Sequence, residues 1–299
     1  MENFLLIFIA LFFGYGIQKL RLFPENAATT LNQYIITIAL PAIILLKVPQ
    51  INFSADMLAP AIIAWIVMFF SAVIIILLSK ALGFSKEITG ALMLLGVLGN
   101  SSFLGIPIIN AYLGTDALAY VLVYDQLGTF LVFVFYGTFV ASYYSSEHKL
   151  EYKLILSKLF TFPPFIALLL AFSFIGTEFH PALLSTLEAL SATIVPLALV
   201  AVGLQLQFRL PKDDFKPFSV ALFVKLLFAP LVAIVFCKLL GFDGLAAQVA
   251  ILEAGMGPMI TAGVLASMAG LAPRLTSSIV GYGILASFVT TGVLYLYIV

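Results

Sequence analysis

The chain has 299 residues, of which 63% are hydrophobic and 9% charged, and its formal net charge is zero. So little charge sets aside a soluble globular domain, and a balanced charge argues against nucleic acid as a partner. The single cysteine, Cys237, rules out a disulfide framework or a thiolate metal site.

A helix needs about 20 apolar residues to cross the hydrocarbon core. Ten stretches meet or approach that length: 3–20, 31–49, 57–83, 87–112, 117–143, 160–176, 185–207, 217–240, 244–268 and 275–298. The expected fold is all-α and integral to the cell membrane, a single unit over 1–299 with ten transmembrane helices. Met1-Glu2-Asn3 lacks the basic flank of a signal peptide, so the first stretch reads as a retained span.

In chain order, span 2 carries Pro41, and span 3 ends in Lys80-Ala-Leu-Gly-Phe84. Span 4 is interrupted by "GNSSFLGIP", Gly99 to Pro107. Glycine leaves helical geometry easily, so Gly99-Asn100 splits this helix in two. The backbone groups set free are unfavourable in hydrocarbon unless they line a protein cavity or pair. Span 5 contains Asp125, span 7 Pro196, and span 8 Lys225 ahead of Lys238-Leu-Leu-Gly-Phe242. Span 9 is interrupted at "EAGMGPM", Glu253 to Met259, where Gly257-Pro258 breaks the ladder. His148 and His180 lie in connections without metal-site or catalytic neighbours. Trp65 and the many phenylalanines read as lipid-facing or packing residues.

Lys19, Arg21, Lys80, Lys86, Lys149, Lys153, Lys158, Arg209, Lys212, Lys216 and Arg274 all follow odd-numbered spans, against Lys47 and Lys238 on the other side. By the positive-inside rule the odd connections are cytoplasmic and both termini face outward.

The Lys-x-Leu-Gly-Phe pair recurs at a spacing of 158 residues, and the same spacing carries Gly99 onto Gly257. Five spans per copy is an odd number, so the second copy is inverted: two five-helix repeats with broken, crossing helices 4 and 9. Gly99 lies about 18 Å from the cytoplasmic end of span 4 and Gly257 about 20 Å from the outer end of span 9, so both breaks reach the middle of a ~30 Å core. Paired interruptions of this kind point to a secondary transporter with its site at the midplane. Half-helix N-termini supply N–H donors and partial positive charge, and their C-termini supply carbonyls.

The candidate substrate-binding residues are therefore Gly99, Asn100, Ser101, Ser102, Gly257, Pro258 and Met259. The intramembrane charges Glu253, Asp125 and Lys225 are candidates for coupling to a proton or cation gradient, with sodium near Asn100 and Glu253 as one possibility. A structural ion pair between Lys225 and Glu253 is the competing reading. No resident cofactor is expected. An enzyme would need an intramembrane nucleophile with a base, or a metal cluster, and the spans offer no histidine, Gly-x-Ser-x-Gly elbow or paired-aspartate motif. A channel would share the midplane breaks, but buried charges favour stoichiometric coupling.

"LGNSSFLGIPIINAYLG" (Leu98 to Gly114), "LEAGMGPMITAGVLA" (Leu252 to Ala266) and "ALPAIIL" (Ala39 to Leu45) resemble spans 4, 9 and 2 of the auxin efflux carrier family. The resemblance covers essentially the whole chain. It implies the fold shared with bile-acid/sodium symporters: a scaffold of spans 1, 2, 6 and 7 (about 1–56 and 160–207) and a transport part of spans 3–5 and 8–10 (about 57–143 and 217–298), working by elevator-type alternating access. It implies a small organic anion as substrate, auxin-like or malonate- and malate-like, and a homodimer formed through the scaffold helices; a sodium-coupled symporter of a larger amphipathic anion is the alternative. The chain lacks the long hydrophilic connection between spans 5 and 6 of the plant carriers, which implies a prokaryotic member, and has Gly99 where they have proline, a departure at the very position of the plant substrate contacts. Asn100 carries over as a substrate or crossing-stabilising residue, Pro258 as the second crossing, and Pro41 and Pro196 as helix-shaping positions facing the site. Gly105 and Pro107 read as packing residues of the second half-helix.

Overall fold

A computed structural model describes residues 2–50, 55–145, 160–177, 179–208, 210 and 212–298. Lys149, Lys153, Lys158 and Arg209 of the charge reading above, and His148, lie outside the described residues. The apolar stretches fold as α1 (Glu2–Leu20), α2 (Ala27–Gln50), α3 (Ala59–Leu82), α4 (Lys86–Leu95), α5 (Ser101–Leu113) and α6 (Thr115–Tyr144). There follow α7 (Pro163–Ser173), α8 (Pro181–Gln205), α9 (Phe215–Leu240), α10 (Gly244–Ala254), α11 (Ile260–Met268) and α12 (Pro273–Ile298). Six of them, α2, α3, α6, α8, α9 and α12, are long and apolar enough to cross a membrane by length and composition alone. The stretches 87–112 and 244–268 each fold as two helices, α4 with α5 and α10 with α11.

The Lys-x-Leu-Gly-Phe motifs end α3 and α9 in the same way. Gly83 and Gly241 turn left-handed, at φ +67° and +72°. Phe84 N–H then donates back to the Ser79 carbonyl at 3.0 Å and Phe242 N–H to the Cys237 carbonyl at 2.9 Å. This is the Schellman cap, which needs a residue free of the Cβ penalty at the left-handed position.

Prolines shape the long helices by a second device. Pro41, Pro107 and Pro230 each stand two residues beyond a π-helical turn: Ile35–Ala39, Ser101–Gly105 and Val224–Phe228. A proline cannot donate to the carbonyl four residues back, and its ring crowds that oxygen. That carbonyl belongs to Thr37, Phe103 and Leu226, the middle of each widened turn, so the extra residue accommodates the ring. Pro196 acts alike on Ala192, where α8 pauses in a turn at Ala192–Thr193.

The packing forms two dense sets of helices, bridged by α5, which lies against α1 and α8 as well as α6. α1 and α2 lie against α8, and α2 also against α7, while α3 packs on α6, α9 and α10, and α4 on α11 and the end of α6. α1 meets α8 at two glycines: a Cβ on Gly203 would lie 2.9 Å from the Gly14 Cα and 2.9 Å from the Tyr15 backbone nitrogen. Membrane helices associate through such close backbone approach, since lipid tails supply no hydrophobic drive between them. Gly203→Val is expected to force α1 from α8, destabilising the protein by about 1–3 kcal/mol and lowering its melting temperature in detergent. Gly16→Val, at a glycine with open space around it, is the control and leaves the melting temperature in place.

Candidate functional site

The two interruptions meet. α4 ends at Leu95 and α10 at Ala254, and the extended residues that follow pair with one another in an antiparallel bridge between Gly99 and Pro258. Asn100 N–H donates to the Gly257 carbonyl at 2.8 Å, and Met259 N–H donates to the Leu98 carbonyl at 3.0 Å. Each break thus satisfies polar backbone that hydrocarbon would leave stranded. Pro258, lacking an N–H, adds no donor to be satisfied.

Beside this pairing lies a cavity of about 70 Å³. Its polar end is made by Gly99, Asn100, Ser101, Ser102, Asp125, Gln126 and Thr261. Its apolar wall comes from Ile36 and Leu40 of α2, Phe103 of α5, Phe130 and Phe133 of α6, Phe162 ahead of α7, and Met259. Phe130 and Phe162 stack with ring centroids 4.0 Å apart.

Asn100 is 2% exposed. Its side-chain oxygen accepts from Phe103 N–H at 3.3 Å, capping α5, while its amide nitrogen has no partner. Asp125, on a π-helical turn of α6, accepts three hydrogen bonds: the Ser101 hydroxyl at 2.5 Å, the Ser102 hydroxyl at 2.6 Å and the Gln126 amide at 2.6 Å. A carboxylate facing the start of α5 complements that helix's positive end. Gln126 keeps a buried oxygen without a partner.

Behind Gly99 lies the second half of the polar centre. Lys225 is 1% exposed and Glu253 fully buried. The ammonium donates to the Ala254 carbonyl at 3.0 Å, at the C-terminal end of α10, whereas both Glu253 carboxylate oxygens lack a hydrogen-bond partner. The structural ion pair weighed from the sequence is thus without a direct hydrogen bond: both groups are buried at the same break, and the lysine's hydrogen-bond partner is backbone. Two glycines make room for these groups. A Cβ on Gly99 would lie 2.9 Å from the Lys225 Nζ, and one on Gly105 would lie 2.7 Å from the Glu253 carboxyl carbon.

The remaining sequence candidates lie further out. Gly257 and Pro258 face α12, where a Cβ on Gly257 would meet Ile284 Cα at 3.0 Å and one on Gly283 would meet the Pro258 ring at 2.6 Å. Pro41 is not in the cavity lining; its helix sends Ile36 and Leu40 there instead. Pro196 lines a different cavity, of about 610 Å³, together with Lys47, Asn110, Pro107 and Glu188. A third cavity, of about 870 Å³, is lined by Gln18, Arg21, Gln205, Ser267 and Thr276. The sequence reading missed Gln126, whose one signal is a polar side chain next to Asp125 inside a span. It also missed Thr261 and the phenylalanine wall: Phe130, Phe133 and Phe162 are packing residues as expected, and they line the cavity as well.

A family model described as membrane transport protein matches residues 1–295. The chain belongs to that family. An uncharacterized transporter of Methanothermobacter thermautotrophicus is 29% identical over 292 residues, 97% of this chain and 95% of its own length. Another, of Methanocaldococcus jannaschii, is 27% identical over 288 residues, 93% of this chain and 92% of its own length. This membership is consistent with the auxin efflux carrier resemblance and makes the protein an integral membrane transporter rather than an enzyme.

Gly105→Ala is expected to push a methyl group into the Glu253 carboxylate and to lower the melting temperature, by about 1–3 kcal/mol of stability. Combined with Glu253→Ala, the same methyl group enters vacated space, so the double variant's loss falls short of the sum of the singles by at least ~0.5 kcal/mol in a double-mutant cycle.

Proposed function

We propose that this family member is a secondary active transporter of small organic anions, mono- or dicarboxylates, with its substrate site in the cavity beside the Gly99–Pro258 pairing. The observation that carries the reading is the convergence there of the N-termini of α5 and α11 with the unpaired Asn100 amide, set against an apolar wall. Helix N-termini and free N–H donors favour a carboxylate. A cavity of about 70 Å³ suits the carboxylate end of a small acid.

Charge balance favours proton coupling. Asp125, Glu253 and Lys225 are the buried charged residues among those described, two acids against one base. Beside two ionised carboxylates and one ammonium, an entering organic anion would make three negative groups to one positive in a low dielectric, a strongly unfavourable sum. A proton taken up with the anion on one carboxylate relieves it.

The antiparallel sense of the Gly99–Pro258 bridge and the matching caps of α3 and α9 support two inverted five-helix repeats with crossing breaks. The packing groups support a scaffold of α1, α2, α7 and α8 and a moving part made of the rest. The two larger cavities lie at opposite ends of α1 and α8, between these groups, as vestibules of an elevator require. The charge distribution supports outward-facing termini.

Proteoliposomes carrying the purified protein are expected to accumulate radiolabelled mono- or dicarboxylate under an imposed pH gradient, and Asn100→Ala to reduce that flux at least about tenfold, the loss of one charge-assisted hydrogen bond of ~1.5 kcal/mol. Undiminished flux through correctly folded Asn100→Ala sinks the site assignment, and unitary conductances in planar bilayers would mark a channel instead.

A further inference from the structure

We propose that Lys225 is a built-in cation: its ammonium group fills a cation-binding position at the meeting of the two breaks, so that the protein works without a dissociable metal cation there, and removing the lysine opens a site for sodium. The inference rests on the transporter reading only in taking the broken helices as the working centre of the molecule.

Four observations converge on it. The ammonium sits at the C-terminal end of α10 and bonds the Ala254 carbonyl at 3.0 Å, where the helix dipole is negative. A second α10 carbonyl, that of Glu253, lies 3.6 Å from the Cβ position of Gly99, whose other near neighbour is the ammonium itself at 2.9 Å. The Glu253 carboxylate, fully buried on the same turn, has both oxygens without a hydrogen-bond donor. Lys225 reaches this place from a widened turn of α9 that Pro230 enforces, with its whole side chain buried.

A buried lysine normally goes to a carboxylate. Here it goes to a carbonyl, and an unpaired carboxylate remains nearby. Carbonyl and carboxylate oxygens at a helix end form the donor set of a hard monovalent cation, and an ammonium is the covalent equivalent of that ion: one positive charge bound by oxygens. Gly99 belongs to the device, because any side chain there displaces the ammonium.

The test needs no substrate, so its outcome does not depend on which anion is carried. Melting temperatures of the purified protein in detergent are compared in sodium chloride and in choline chloride at equal concentration. The wild type is expected to melt at the same temperature in both. Lys225→Ala and Lys225→Gln are expected to melt lower than wild type in choline and to recover by several degrees in sodium, with half the recovery at a defined sodium concentration. Adding Glu253→Gln to either variant is expected to abolish the recovery. A wild type stabilised by sodium over choline overturns the proposal, and so do folded Lys225 variants that respond equally to the two salts. If neither variant survives purification in choline but both do in sodium, the proposal stands; if neither survives in either salt, the sodium response of the wild type decides.

Discussion

Two hydrogen bonds carry this architecture: Asn100 N–H to the Gly257 carbonyl and Met259 N–H to the Leu98 carbonyl. Each links a break in one helix pair to the break in another, and in hydrocarbon no water stands ready to replace either. The exchange allows both helices to stay interrupted at depth. Once they are interrupted, four half-helix ends come together: the N-termini of α5 and α11 on the cavity side, and the C-termini of α4 and α10 behind it. Positive and negative partial charges are thus sorted to two sides of one backbone crossing, and the buried side chains follow that sorting. The Asn100 amide and the Asp125 cluster gather at the start of α5, and the Lys225 ammonium at the end of α10.

The glycines give the arrangement its fit. Gly99 and Gly105 are six residues apart on the two sides of Asn100, and each vacates the volume of one buried charged group, Lys225 and Glu253 respectively. Small residues in membrane helices are commonly read as helix-packing contacts. Gly14 and Gly203 fit that description, backbone against backbone. Gly99 and Gly105 differ, since what approaches them is charge, delivered by a long side chain from α9 or α10.

Much of this was legible in the sequence because glycine and proline act locally. The breaks at Gly99 and Gly257 follow from residue type and spacing, and the Lys-x-Leu-Gly-Phe motifs specify their own caps. The burial of Asp125, Lys225 and Glu253 follows from their depth within apolar stretches. Partner choice was another matter. Whether Lys225 meets the Glu253 carboxylate or the Ala254 carbonyl depends on the axial offset of α9 against α10, which tertiary packing sets and no periodicity records. The aromatic wall was hidden for a related reason. A phenylalanine facing lipid and one facing a cavity obey the same apolar pattern, and Phe162 stands outside any helix. Pro41 and Pro196 show the converse: their effect on helix shape was readable, but the side chains that the reshaped helix sends to the cavity were its neighbours.

For the elevator motion proposed above, the Phe130–Phe162 stack has a kinetic meaning. Phe130 belongs to α6 and Phe162 to the segment entering α7, so the two rings join the two packing groups across the edge of the cavity, at 4.0 Å and nearly parallel. No sliding of one group along the other can keep that overlap. An aromatic pair contributes about 0.5–1.5 kcal/mol beyond its burial, which is a factor of roughly two to twelve in a rate if the contact is lost on the way to the transition state. In that motion the rings therefore act as a friction element, slowing the change in the cavity's exposure, while as part of its wall they also meet its contents.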